Sequence, residues 1–287
     1  MERAWHVPVP AKTSGEEKRI MLIALTYLGP VGRGVTTPQL FRASDGKVYV
    51  VKMQNNRLGT RVLVNELLAA RFGEAIGLCF PPGDVIKIDA EVLKNSRRPL
   101  PAGIKPGRHF ACQYLSNARY LDSYNLYKAN NKAEMAGVML FDHLFFNLDR
   151  TLNRRNLLLR REGKGHRIYA IDNSHLFRRG RWTIESLEKM AGKIKINQFR
   201  VYGTLIRRWL APEFFDGYLD KIRQLTDRDL EALVEEIPQE WLPHVNDRQV
   251  LLDFLRTRRD MAGEIVTCLC ALIPHRRRKE TGGGRKE

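Results

Sequence analysis

Cysteine is scarce in this chain of 287 residues: Cys79, Cys112, Cys268 and Cys270 are the only four, with no C-x-x-C pair and no histidine at zinc-finger spacing. A disulfide framework and a structural zinc site are thereby excluded, and reduced thiols in a cytoplasmic protein are the expectation. Long apolar runs are missing too. The longest, residues 20–28 and 265–273, hold about nine residues where a bilayer needs roughly twenty, so no membrane span is expected. Residues 1–18 carry charges and two prolines but no apolar segment, unlike a secretory signal. The patterns H-E-x-x-H, G-x-S-x-G and G-x-x-x-x-G-K-[ST] are absent, which removes the zincin, serine-hydrolase and P-loop chemistries.

Acid is outnumbered by base, 32 Asp and Glu against 49 Lys and Arg, for a net charge of +17. Such an excess points to anionic partners: nucleic acid, anionic lipid or phosphorylated ligands. Arginine concentrates in mid-chain, at Arg150, Arg154, Arg155, Arg160, Arg161, Arg167, Arg178, Arg179 and Arg181. That cluster fits an acidic substrate or RNA beside a site, and equally a solvated basic face. Tyr114, Tyr120, Tyr124 and Tyr127, with Arg119 and Lys128 nearby, are expected to pack a connector, stacking on nucleic acid being the other reading.

Hydrophobic residues make up 43% of the chain, enough for a buried core. Residues 20–53 alternate as strands around the turn Ser44-Asp45-Gly46-Lys47, a small antiparallel meander. Apolar residues at mixed three and four spacing predict a helix over 60–76, ended by Gly77. Strands are expected at 85–88 and 109–115, a deeply buried helix at 133–146, and a hairpin from 156–160 and 167–171. Residues 183–273 read as mostly helical, with Pro212 at a helix start and the last helix beginning at Asp247. The tail 275–287, with four consecutive basic residues and three consecutive glycines, cannot bury a core and is expected to be disordered.

Lys52 ends a valine-flanked strand, and fourteen positions later Glu66 sits within the helix. A lysine on a buried sheet face needs an anionic partner, either phosphate or such a carboxylate. Upstream, Gly29, Gly32 and Gly34 lie between two strands, where backbone amides can approach a polyphosphate closely. The polar loop from Asn147 to Arg155 is bracketed by the buried helix and an apolar strand. Phosphoryl transfer needs a carboxylate to orient or deprotonate the acceptor, then an amide oxygen and a second carboxylate to hold Mg²⁺. Asp149, Asn156 and Asp172 supply that set in order, and the hairpin would bring Asn156 and Asp172 together at its open end.

The lysine strand, the helix glutamate, Asn147-Leu148-Asp149-Arg150 with Asn156-Leu157-Leu158-Leu159, and Tyr169-Ala170-Ile171-Asp172 resemble the HipA-like kinases over about residues 27–180. They are also similar to the catalytic loops of phosphatidylinositol kinases. The resemblance implies an α+β, two-lobed protein-kinase-like fold: a β-rich lobe at 1–115, a mainly helical lobe at 116–274, then the basic tail. It implies Lys52 on the α and β phosphates of ATP, Glu66 pairing with Lys52, Asp149 as catalytic base, and Asn156 and Asp172 on Mg²⁺. Backbone groups of Gln113, Tyr114 and Leu115 would hold the adenine.

The acceptor implied is a hydroxyl, Ser or Thr of a protein, which the basic charge allows to be acidic. Three departures stand out. Arg154 occupies the position where most kinases have the metal asparagine, so Asn156 is preferred to Asn153 because it abuts the strand. Asn173-Ser174 replaces the usual Phe-Gly, and the glycine spacing is not G-x-G-x-x-G. A nucleotide-binding pseudokinase scaffold and a basic nucleic-acid-binding protein are the alternatives.

Overall fold

The patterns of residues 20–53 become β1 (Leu22–Pro30), β2 (Gln39–Ala43) and β3 (Val48–Lys52), the expected antiparallel meander, in a computed structural model that describes residues 21–31, 37–122 and 124–274. Gly46 takes φ +80° in the β2–β3 turn and donates its N–H to Ala43, a conformation glycine adopts without steric cost. Next comes α1 (Arg61–Ile76), which stops at Gly77 in a left-handed cap. After α1 come β4 (Gly83–Ile88), a short α2 (Ala90–Lys94) and β5 (Gly107–Gln113).

β5 pairs with both β3 and β4, and β1 runs parallel to β4 with Leu22 opposite Ile86. Five strands therefore close into a barrel in the order β1-β2-β3-β5-β4, filled by Tyr27, Phe41, Tyr49, Val51, Ile86 and Ala111. The expectation of a meander with two further strands is extended by this closure, which joins residues far apart in the chain. Gly29, the residue before the end of β1, has φ +117°, whereas Gly32, Gly34 and the tail 275–287 lie outside the described residues.

Beyond the barrel, β6 (Arg119–Tyr120) leads to α3 (Met135–Leu144), α4 (Asp149–Leu152) and the hairpin β7 (Leu157–Glu162) with β8 (Gly165–Ala170). Helices α5 (Ile184–Ala191), α6 (Val201–Arg208), α7 (Asp216–Arg223), α8 (Asp227–Glu235), α9 (Val245–Asp260) and α10 (Ala262–Cys270) complete it. Every residue of α3 is buried, as its all-round apolar pattern predicts. One expectation is corrected: the helix containing Asp247 stops at Asp260, and the final helix starts at Ala262. Burial continues at helical spacing through Arg258, Ala262, Ile265 and Leu269, so the pattern hides the break at Met261.

Packing assigns α1 to the helical half. Phe72 meets Phe145 edge-on at 4.9 Å, and Thr60 donates to the Trp241 carbonyl at 2.8 Å. A second correction concerns the four connector tyrosines, which are not packed away: Tyr114, Tyr120, Tyr124 and Tyr127 are 40%, 52%, 85% and 63% exposed. Among the described residues no helix is long and apolar enough to cross a membrane.

Candidate active site

Lys52 is the last residue of β3, and alternation along the strand separates it from Val51 and aims it at α1 rather than into the barrel. Its ammonium is almost fully buried, contacts Glu66 Oε1, and donates to Asp172 Oδ1 at 2.7 Å. Burial alone would lower the Lys52 pKa, but the carboxylates of Asp172 and Glu66 outweigh it and raise the pKa above the usual lysine value. Burial likewise pushes the Asp172 carboxyl up, and Lys52 beside it more than reverses that, holding it well below the usual carboxylate range. Glu66 Oε1 also accepts the Asn173 N–H at 3.0 Å, so the helix carboxylate ties β3 to the end of the hairpin.

The hairpin does what its spacing promised. Leu157 lies opposite Ala170, and Ile171 donates its N–H to the Asn156 carbonyl at 3.0 Å, so Asn156 and Asp172 flank the same end. Asp172 adopts φ +60°, a left-handed turn that aspartate tolerates, and this turns its carboxyl toward Lys52. Asn156 Nδ2 donates to Asp149 Oδ2 at 2.6 Å, fixing the loop carboxylate. Asn153, the alternative, is used otherwise: its Oδ1 caps the turn at Arg155 N, 3.1 Å away.

Three oxygens remain without a hydrogen-bond partner among the described residues: Asp149 Oδ1, Asn156 Oδ1 and Asp172 Oδ2. An amide oxygen and a carboxylate oxygen suit a hard cation that completes its shell with phosphate and water. No group of three or more His, Cys, Asp or Glu among the described residues could hold a metal by itself.

Four side chains in the site escaped the sequence reading. Arg150, counted there among the basic cluster, is a correction: its side chain has no exposed surface. It donates to Asp142 Oδ2 at 2.8 Å, to the carbonyls of Asn156 and Ile171 at 3.2 and 2.8 Å, and to Asn173 Oδ1. One guanidinium thus clamps both strands of the hairpin at the point where Asn156 and Asp172 emerge. Asn173 and Ser174, noted only as departures, are polar for a reason, since Ser174 Oγ donates to Asp172 Oδ1 at 2.6 Å. His175 Nδ1 lies 3.2 Å from Ser174 Oγ and 3.9 Å from Asp149 Oδ2, adding an imidazole beside the loop carboxylate. The adjacency of Asp149 to Arg150 was the one available signal for the clamp.

At the connector, the N–H groups of Gln113 and Tyr114 are already used, donating to Pro82 and Val48 carbonyls at 2.8 Å each. The Leu115 N–H has no partner among the described residues, so of the N–H groups of these three residues, whose backbone was expected to meet a base, it is the one left available.

The fold is similar to that of the Helicobacter pylori proinflammatory kinase CtkA, with a TM-score of 0.54 at 12% identity, covering 86% of this chain and 95% of that one. Hydra Fam20, solved with sugar, is similar at a TM-score of 0.50 and 14% identity, covering 87% of this chain and 84% of that one. At such identities the likeness establishes an α+β kinase-like fold and nothing finer. No curated protein matches the sequence. The model of the HipA-like kinase family matches residues 26–262, which takes in the barrel, the hairpin and most of the helical half, and the chain belongs to that family.

Proposed function

We propose that the protein transfers the γ-phosphate of ATP to a hydroxyl, with Mg²⁺ as cofactor, and that the acceptor is Ser or Thr of a protein. The observation that carries this reading is the buried Lys52 ammonium held between Glu66 and Asp172, a fixed positive charge beside the open end of the hairpin. Lys52 would meet phosphate oxygens there, Gly29, Gly32 and Gly34 are read as further phosphate contacts, and Leu115 with its neighbours would meet the base. Asn156 Oδ1 and Asp172 Oδ2 would hold the metal, whose charge offsets that of the phosphates. Asp149 Oδ1 takes the proton of the acceptor hydroxyl while its Oδ2 stays bound to Asn156. Arg150 keeps those groups in register.

The barrel with its connector, within residues 1–115, and the helical part, 116–274, on which α1 of the first segment packs, are read as two lobes with the nucleotide between them. Four free cysteines accord with a reducing, cytoplasmic setting. The test is incubation with labelled Mg-ATP, alone and with cell lysate, beside Asp149→Asn. Labelling by the wild type and background labelling by the variant, with nucleotide binding retained in both, is the expected result; equal labelling would sink the mechanism. Binding without transfer in the wild type would make the chain a nucleotide-binding scaffold.

A further inference from the structure

The register of the β6–β7–β8 sheet gathers cations that the proposed chemistry does not use. Arg119 of β6 lies opposite Leu159, Arg161 follows two residues along β7 on the same face, and His166 of β8 lies opposite Arg161. Lys128 and Asn125, from the turn before α3, and Asn117, from the loop before β6, close the other side. Together they line a hollow of about 380 Å³ floored by Leu159. No carboxylate lines it, and neither Arg119, Lys128 nor Arg161 has an ion-pair partner among the described residues.

The nearest acids are committed elsewhere. Glu134 pairs with Arg167, Glu162 accepts from the Tyr169 hydroxyl and lies 3.9 Å from Arg160, and Asp122 accepts the N–H groups of Tyr124 and Asn125. Like charges that converge without a counter-ion repel one another unless an anion joins them. Beside the hollow stand Tyr124 and Tyr127, 85% and 63% exposed, and Lys128 Nζ lies 5.8 Å from the Tyr127 ring. Tyr120, opposite Leu158, is on the other face of the sheet.

We infer that this hollow seats a backbone phosphate of single-stranded nucleic acid, with Tyr124 and Tyr127 as stacking platforms for the adjoining bases. Two forked guanidiniums suit phosphate oxygens, the Asn117 amide suits a sugar hydroxyl or base edge while the Asn125 amide holds its own turn through the Asp122 N–H and the Tyr120 carbonyl, and exposed rings suit unpaired bases, which every sequence offers. An acidic peptide would meet the cations but leave the rings unused. The hollow lies along the hairpin away from Asn156, so the inference stands or falls apart from phosphoryl transfer.

The test uses the full chain and a fluorescein-labelled twelve-nucleotide oligouridine, titrated by anisotropy at several salt concentrations. The variants are Arg119→Gln/Arg161→Gln and Tyr127→Ala, with thermal melting to check that each is folded. Leaving that one phosphate without its two guanidiniums should lower the slope of log K against log salt by about 0.7, the value for a single phosphate on a single strand. Tyr127→Ala should weaken binding at least about 5-fold and leave the slope unchanged. Autophosphorylation, or labelling of lysate, should be the same in all three proteins. Unchanged affinity and slope in the folded arginine variant overturns the inference, and places any binding elsewhere on the chain. So does displacement of the oligouridine from wild type by polyglutamate as readily as by unlabelled oligouridine.

Discussion

At the scale of single residues, Arg150 separates what spacing can convey from what it cannot. Asp149, Asn156 and Asp172 were legible because a carboxylate, an amide and a second carboxylate follow one another around a hairpin whose turn and strands are themselves readable. Arg150 looked like any other arginine of the cluster, since burial is a property of tertiary packing. Its neighbour Asp142 is equally hidden in α3, where it also accepts from Asn147 Nδ2 at 2.9 Å and from the Tyr202 hydroxyl. Arg150→Met would leave the Asp142 charge buried without its cation and the Ile171 carbonyl without its donor. Removing one partner of a buried pair costs about 3–5 kcal/mol, so the denaturation midpoint should fall by that equivalent. Arg150→Lys should recover little of it, because an ammonium cannot reach three directions in one plane. A Met variant within about 1 kcal/mol of wild type, measured by urea unfolding, would show that the clamp is dispensable.

At the scale of elements, α1 and β5 show how far patterns reach. The ends of α1 were readable from Thr60 and Gly77, but its mixed apolar spacing concealed that it is enclosed on nearly every side, with Asn65, Glu66 and Arg71 buried as well. Asn65 accounts for its own burial: its amide donates to the Ser174 and Gly180 carbonyls, and its oxygen accepts from Trp182 Nε1 at 3.0 Å. The segment after Asp172 is thus sewn to α1, and the polar Asn173 and Ser174 in place of Phe-Gly belong to that seam. Barrel closure was not readable, because a strand's sequence names its faces and not its partners. In β5, His109 accepts the Gln54 N–H at 2.8 Å through Nδ1, and its Nε2 lies 3.1 Å from the Lys105 carbonyl. Burial pushes this imidazole down to about 4, and burial lowers His143 as well. The unfolded chain takes up those protons near pH 6.5 and the folded chain does not, so the stability is complete above about pH 6.5 and is lost as pH falls towards 4. His109 alone should remove about 3 kcal/mol across that window. Thermal melting between pH 7 and 4.5 should show the loss, and His109→Gln should flatten it; an equally steep profile in the variant would place the acid sensitivity elsewhere.

At the scale of the whole molecule, two cores have to act as one. The barrel interior and the larger core of α1 with the helical half are separate clusters, and charged side chains span the gap between them. Lys52 reaches from β3 to Glu66 and Asp172, while Arg71 of α1 holds Asp84 of β4 at 2.6 Å and also contacts Glu236. The basic composition, read as an outward signal, is therefore partly internal: Arg71, Arg150 and Arg258 are buried cations that hold elements together. If ATP and Mg²⁺ bind where Lys52 and Asp172 meet, they add contacts to both cores and to the folded state alone. Ligand at a hundred times its dissociation constant stabilises by about 2.7 kcal/mol, and for a chain of this size that corresponds to a rise of roughly 4–5 °C in Tm. Lys52→Met lowers the starting Tm, because Glu66 is left buried without its partner, so the shift is the quantity to read. That shift should vanish in Lys52→Met. In Asp172→Asn, ATP should give the same smaller shift with Mg²⁺ as with EDTA, since the carboxylate that would hold the metal is gone. A full Mg²⁺-dependent shift in Asp172→Asn would move the metal away from the hairpin, and leave the nucleotide role to Lys52 without Asn156 and Asp172.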